Sequence, residues 1–197
     1  RYLLSGDLSK LMHKCINRPN IKWGASMTTA RAITCTLILA GGLTLSQLSK
    51  LTGLEGSTIQ NWIKRGWVST TVGKKYSDKQ VIRILLINML RGVMRLEDIA
   101  KLMQYVNGDV EDVSDDIITD ENLYNILCKI IFKAEIKGAF EPDLLKRLID
   151  AEISESNEKV KLNSAKLKSA IFIMLLAYRS AYLKFVMENE MNAVLNQ

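Results

Sequence analysis

Residues 44–67 read TLSQLSKLTGLEGSTIQNWIKRGW, and the spacing in this stretch decides the fold. Thr44 and Gln47 stand in the T-x-x-Q arrangement of a capping box, in which each side chain satisfies the other's backbone N–H, so a helix is predicted to begin there. It projects Leu45, Leu48 and Leu51 inward. Gly53 then permits a tight turn. Beyond it Leu54, Ile59 and Trp62 recur at spacings that bury one face of a second helix against the first, leaving Ser57, Thr58, Gln60, Asn61 and Lys64 outward. Two short crossed helices with a polar, hydrogen-bonding outer edge are the expected result.

Gly66 closes the second helix. Residues 67–76 (WVSTTVGKKY) are expected to form a short β-hairpin wing centred on Gly73-Lys74-Lys75. Ser77 and Gln80 form another capping box, opening a helix through Val81, Ile84, Leu85, Met89 and Leu90. That helix is apolar nearly all round and must be covered on two sides. Gly92 stops it, and Leu96, Ile99, Ala100, Leu102 and Met103 begin another.

Outside this core the pattern is also helical. Leu8, Leu11, Met12, Cys15 and Ile16 predict a short helix that ends at Asn17-Arg18-Pro19, and a second is expected from about Ser26 to Ala40. Gly108 to Glu121 (GDVEDVSDDIITDE) is acidic and reads as a solvated connector, because its acids lack the spacing and central glycine of a calcium loop. Leu123, Ile126, Leu127, Ile130, Ile131 and Ala134 give the inner face of the next helix. Glu141-Pro142 restarts the chain into another, with Leu144, Leu145, Leu148 and Ile149 facing inward. After a polar gap at Ser154 to Lys161, a last helix is predicted from Leu162 to beyond Glu190. Its stripe is Leu167, Ile171, Met174, Leu175, Tyr178, Tyr182 and Phe185. At about 40 Å it is longer than a compact domain of this size needs, and dimerisation would account for the excess. Its Met- and aromatic-rich face reads as dimer or domain core, with an effector pocket as the alternative.

Composition narrows the class. With 48% hydrophobic residues the chain of 197 has ample material for a core, while eleven glycines and two prolines are too few to punctuate a sheet-rich fold. Cys15, Cys35 and Cys128 are widely separated and lack nearby histidine partners, so neither a disulfide framework nor a zinc cluster is expected. They read as reduced thiols in a cytoplasmic protein. No signal-like apolar stretch stands at the N-terminal end. The longest continuous apolar run, Ala170 to Tyr178, has nine residues, short of the about 20 that cross a bilayer, and reads as a core segment, so no membrane is expected.

The net charge of +6 is unevenly spread. Residues 1–43 carry six Lys or Arg against one acid, and residues 44–103 carry ten against four. Residues 104–160 reverse this, with six against fourteen, and residues 161–197 carry five against two. A polyanion-facing front half and a back half with another job follow from the asymmetry.

The pieces Leu45-x-x-Leu48, Thr52-Gly53-Leu54, Thr58-Ile59, Trp62, Arg65-Gly66-Trp67-Val68, Lys75-Tyr76-Ser77 and Leu96-Glu97-Asp98-Ile99 occur in an order that resembles the winged helix-turn-helix of the MerR family of bacterial regulators and its excisionase relatives. In more detail the stretch looks like a Firmicutes family designated domain of unknown function 1836, whose members share the Lys-Lys-Tyr-Ser step, and the likeness extends over residues 1–150. The resemblance implies that the second helix enters the major groove, with Ser57, Gln60, Asn61 and Lys64 reading DNA and Lys74 and Lys75 holding phosphates. The Arg-Tyr-Tyr run typical of MerR recognition helices is here Gln60-Asn61-Trp62, and Trp62 is assigned to the core. The long antiparallel coiled-coil helix and the metal cysteines of MerR metal sensors are missing, so no metal effector is implied.

The physical argument stands beside the likeness. Amide side chains such as Gln60 and Asn61 can pair with adenine in the major groove, while lysines and Arg65 add affinity without sequence information. The candidate DNA-binding set is Ser46, Gln47, Ser57, Thr58, Gln60, Asn61, Lys64, Arg65, Lys74 and Lys75, with Tyr76 packing inward. The expected architecture is all-α with a short β-hairpin wing: a DNA-binding domain over residues 1–107 with its core at 43–103, then a C-terminal helical bundle over 108–197 that dimerises and has room for a small-molecule effector. Enzyme activity is not expected, since His13 stands apart from any carboxylate or cysteine, and no nucleophile elbow, phosphate-binding glycine loop or zinc spacing occurs. No cofactor or metal is expected. The expected function is a homodimeric transcription regulator binding an inverted-repeat operator on double-stranded DNA. The alternative is a helical protein-interaction adaptor or an excisionase-like recombination accessory factor.

Overall fold

A computed structural model of the chain describes residues 42–71, 73–108, 110, 112, 114, 116–136, 140–155 and 158–195. The helices expected near residues 8–16 and 26–40, together with His13, Cys15 and Cys35, lie outside the described residues. Within them the chain is mostly helical. In order it forms β1 (Leu43–Thr44), α1 (Leu45–Thr52), α2 (Gly56–Lys64), β2 (Lys75–Tyr76), α3 (Asp78–Leu90), α4 (Leu96–Asn107), α5 (Asp120–Ile136), α6 (Pro142–Ser154), α7 (Glu158–Leu162) and α8 (Ser164–Leu195). An all-α fold with a small antiparallel sheet is therefore present, as the sequence leads one to expect.

Both expected capping boxes form. Thr44 N donates to Gln47 Oε1 at 2.9 Å while Gln47 N donates to Thr44 Oγ1 at 3.3 Å. At α3, Ser77 N donates to Gln80 Oε1 at 2.8 Å and Gln80 N to Ser77 Oγ at 3.4 Å. Gly53 takes a left-handed conformation with φ of 70° and donates its N–H to Ser49 O, ending α1 where a side chain at Cβ would be strained. Pro142 opens α6 in the first turn, where its missing N–H costs nothing.

The sheet differs in its pairing from a local hairpin. Lys75–Tyr76 pairs with Leu43–Thr44, antiparallel, in the register Leu43 opposite Tyr76 and Thr44 opposite Lys75. The wing strand is thus tied to the entrance of α1 and not to the Trp67 to Thr71 segment. Gly42 makes this possible, since a Cβ there would stand 2.6 Å from the Tyr76 carbonyl oxygen at a φ of +90°.

Helix α3 is the centre of the molecule. Every residue from Gln80 to Ile87 is buried, because α3 packs against α1, α4, α5 and α8. One hydrophobic core runs from Leu48 and Trp62 at the front through α3 to Leu127, Ile149 and Met174 at the back, and it continues across the boundary expected at residues 107 and 108. The acidic connector is not wholly solvated, for Ile117 and Ile118 are buried at its end. The polar gap after α6 contains the single-turn α7, with Val160 buried.

Among the described residues two charged groups, Arg83 and Glu152, are buried in this core, each compensated. Arg83 on α3 is 7% exposed; its Nη1 lies 3.1 Å from Oδ1 and 3.3 Å from Oδ2 of Asp120, and its Nε donates to Trp67 O at 3.2 Å. Asn107 Nδ2 also donates to Asp120 Oδ1, at 3.2 Å. On α6, Glu152 accepts from Lys133 and, at 3.4 Å, from Lys129 of α5. Burial pushes its carboxyl pKa up, but the hydrogen bonds and charges of Lys133 and Lys129 outweigh burial and hold it below the ordinary range.

The apolar run Ala170 to Tyr178 lies within α8, a helix of 32 residues. That helix carries an 18-residue window of mean hydropathy 1.5, and by length and composition it is long and apolar enough to cross a membrane. Leu167, Ala170, Ile171, Met174, Leu175 and Ala177 are buried in the core, while Tyr178, Tyr182 and Phe185 are half-buried.

Two outcomes follow from the buried charges. Asp120→Ala leaves the Arg83 guanidinium buried without its anion and should cost about 3 to 5 kcal/mol in urea denaturation, whereas Arg83→Met combined with Asp120→Leu should cost less than Asp120→Ala alone. For Glu152 the folded pKa is the lower one. Its stabilisation is fully present above the unfolded pKa and is lost as pH falls through the folded pKa. Glu152→Gln should therefore lower the urea midpoint at neutral pH and flatten its decline between about pH 6 and pH 3.

Candidate nucleic-acid interface

The front of the molecule is built on α1 and α2, which are joined by the three residues Gly53 to Glu55. Ile59 and Trp62 are fully buried on the inner side of α2, and their burial fixes which residues face out. Positions 57, 60, 61 and 64 fall at i, i+3, i+4 and i+7, a single helical face. Accordingly Ser57, Gln60, Asn61 and Lys64 are all exposed, with Thr58 half-buried at the edge. None of the four lies beneath another part of the described chain.

The remaining expected residues divide into three groups. Ser46 and Gln47 are exposed in the first turn of α1, but the Gln47 carbonyl oxygen is engaged by Thr44, through both N at 2.9 Å and Oγ1 at 3.0 Å. Lys74 and Lys75 are exposed, and the register Thr44 opposite Lys75 brings the wing beside the start of α1, a proximity across the chain that no local spacing announces. Arg65 is held: its Nη1 lies 3.2 Å from Glu97 Oε1, and its guanidinium sits over the Trp67 ring at 5.2 Å. With both partners more than half exposed, this ion pair is weak enough to be exchanged for another anion.

Tyr76 is buried, 5% exposed, as expected of a structural tyrosine, and burial pushes its phenol pKa up. Two cations escape the pattern reading. Lys50 and Lys79 are both exposed; Lys50 stands in the last turn of α1, where a cation also complements the helix carbonyls. Over residues 44–79 there are six Lys or Arg against two acids, and all six are exposed. The acid Glu55 stands at the N-cap of α2 without a side-chain cap bond.

The loop behind α2 is positioned by a residue whose part in it was not legible. Gln80 is 4% exposed. Besides accepting the Ser77 N–H, it donates Nε2 to Ser69 O at 2.8 Å and to Thr70 O at 3.0 Å. One amide thus caps α3 and anchors the segment that links α2 to the wing. Asn88 of α3 likewise donates Nδ2 to Thr52 O at 3.2 Å, fixing the end of α1.

The polar α2 face, the exposed wing lysines and the anchored loop describe a surface suited to a polyanion, and comparison with known proteins gives it a family context. Residues 37–127 match the family described as "Domain of unknown function (DUF1836)". The match supports that family for this stretch, which is narrower than residues 1–150 and takes in α1 to α4 and the start of α5. The chain is also similar to "Uncharacterized protein YkrK" of Bacillus subtilis (strain 168), 33% identical over 79 residues, which are 38% of this chain and 34% of that protein. The chain thus spans about a third of that relative's length. No solved structure matches it.

Gln80→Ala removes half a capping box and two carbonyl anchors. It should cost about 1 to 3 kcal/mol in urea denaturation and raise amide exchange selectively over residues 67–71.

Proposed function

We propose that the protein is a sequence-specific, DNA-binding transcription regulator of the cytoplasm, with α1, the turn and α2 acting as a helix-turn-helix in the MerR manner. On this reading α2 is the recognition helix. Gln60 and Asn61 read base edges, Ser57, Thr58 and Lys64 support them, and Lys74 and Lys75 hold phosphates on the flank. The observation that supports it best is the exposed face of Ser57, Gln60, Asn61 and Lys64, backed by a fully buried Trp62 and Ile59. An amide-rich face on a rigid helix suits the donor and acceptor pattern of the major groove. The cations around it, Lys50 and Lys79 included, supply the sequence-independent attraction.

A homodimer is part of the proposal. Two copies related by a two-fold axis would place two α2 helices in successive major grooves and so select an inverted repeat. Ser46 and Gln47 at the start of α1 are suited to the phosphate backbone beside Lys75, and Arg65 can join them by leaving Glu97.

Selection from random oligonucleotides should yield an inverted repeat. With about five phosphate contacts per subunit, the log–log dependence of binding on salt should have a slope near about −9. Changing Gln60 and Asn61 to Ala should relax base preference by about 1 to 3 kcal/mol per bidentate contact, while Lys74→Ala with Lys75→Ala should weaken binding to every sequence and reduce the salt slope. Wild-type behaviour of both double variants on the selected site would overturn the assignment. A selection that enriches nothing, with no salt-sensitive DNA binding, would favour a protein-interaction adaptor.

A further inference from the structure

Arg65 carries more hydrogen-bonding capacity than the described chain uses. Its backbone closes α2, with the N–H donating to Asn61 O at 3.0 Å, and it stands one turn beyond Asn61, on the flank of the exposed polar face. Gly66, at a φ of 71°, then turns the chain back, and the guanidinium lies over the half-buried Trp67 ring at 5.2 Å. One plane of the cation is thus covered by an indole that itself packs on the core. A guanidinium has five N–H donors in a rigid fork. Among the described residues only Nη1 is engaged, by Glu97 Oε1 at 3.2 Å, and the side chain is 51% exposed.

Glu97 is foreign to this surface. Residues 44–79 hold two acids of their own, Glu55 and Asp78, and Glu97 is delivered from the first turn of α4, 32 positions away. It makes a weak pair there, one contact between two side chains that are each more than half exposed, of the kind that adds little to stability. Both partners keep support when the pair opens. Glu97 remains at the start of α4, where the helix dipole favours an anion, and the guanidinium remains stacked on Trp67, a contact that an arriving anion need not break. A phosphodiester can take two arms of the fork where Glu97 takes one, since arginine pairs with phosphate are frequently bidentate.

We infer that Glu97 is a built-in competitor for the DNA backbone: it occupies Arg65 in the free protein and is exchanged for a phosphate when a duplex docks, so its presence lowers affinity for every sequence. The inference rests on the DNA-binding function proposed above and deepens it. Arg65 is the contact, Glu97 sets how strongly that contact counts, and base preference stays with Gln60 and Asn61.

A double-mutant cycle of the full chain on a mixed-sequence duplex, read by fluorescence anisotropy over a range of salt, tests it. Arg65→Ala should weaken binding and reduce the salt slope by about 0.9 per subunit. Glu97→Gln should tighten binding by about 1.5- to 5-fold per subunit, the strength of an exposed ion pair expressed as an equilibrium constant, beyond what Asp98→Asn does. Asp98 is exposed in the same turn of α4, so its neutralisation measures the effect of one lost negative charge alone. In the Arg65→Ala background Glu97→Gln should do no more than Asp98→Asn. Every variant should keep the wild-type circular dichroism spectrum, because all three side chains are exposed. Equal gains from Glu97→Gln with and without Arg65 would overturn the exchange while leaving DNA binding in place. Weaker binding by Glu97→Gln would also overturn it, and would make the pair a positioning contact for Arg65. A wild type without salt-sensitive binding to the duplex overturns both the exchange and the function on which it rests.

Discussion

The structure depends on burying a charged residue in its middle. Arg83 lies on the helix that α1, α4, α5 and α8 all pack against, and a guanidinium cannot lose its protons to suit an apolar site. It must instead be given partners. Asp120 supplies the countercharge from the first turn of α5, and the Trp67 carbonyl takes the Nε proton at 3.2 Å. One side chain therefore joins the loop that follows α2 to the start of the back half. Asn107, at the end of α4, holds the same carboxylate, so the loop after α2, α3, the end of α4 and the start of α5 meet at one ion pair. The interior is low in dielectric, which makes each link costly to break and the arrangement correspondingly fixed.

On the proposed function, that fixity is what α2 needs. Nothing on the exposed face of α2 is itself held by a tertiary hydrogen bond that the structure displays, so its direction is set from behind: by Trp62 and Ile59 in the core, by Arg83 and Gln80 on the residues that follow, and by Asn88 on the end of α1. Side chains intended to meet a base edge lose affinity if they must also be ordered on binding. Placing them on a short helix whose opposite face is fully buried removes part of that cost. The wing has a different construction. Two residues of strand pair with the entrance of α1, giving exposed lysines on an anchored backbone, which on the proposed reading suits phosphate contact better than base discrimination.

What the sequence discloses follows the range of each signal. Capping boxes are complete within four residues, so Thr44 with Gln47 and Ser77 with Gln80 are legible without any fold in view. The all-round apolar character of Val81 to Leu90 announces a helix covered on opposite sides, and Trp62 and Tyr76 fall to the core by periodicity alone. Longer-range matters are not legible. A strand of two residues has no alternation to read, so the pairing of Lys75 with Thr44 is invisible, and the obvious local hairpin takes its place in any linear reading. Gln80 illustrates a second limit: its oxygen is spoken for by a motif, but its Nε2 partners are carbonyls, which look alike in every sequence. Ile117 and Ile118 are masked by the acids around them. In α8 the difficulty is excess, since apolar residues on nearly every side give a helix without a phase, and periodicity does not separate the exposed Ile173, Leu183 and Met187 from the buried Leu167 and Ile171. For the candidate interface, the exposed residues are legible because polar outward positions follow from apolar inward ones; the capture of Arg65 by Glu97, across 32 positions, is not.

The packing of α8 also bears on how a dimer would meet DNA. A two-fold protein reads an inverted repeat only if the distance between its two reading helices is set by rigid connections. On the proposed reading such connections exist along the whole path: α8 packs on α3 and α4, α3 carries α1 through Asn88 and the Leu48 core, and α1 packs on α2. α8 approaches the loop after α3 closely, since a Cβ added at Gly92 would stand 3.1 Å from the Ala181 Cβ. Half-site spacing would then be a property of the core itself. On the same reading, a ligand or partner that shifted α8 against α3 would change that spacing without touching the face proposed to meet DNA.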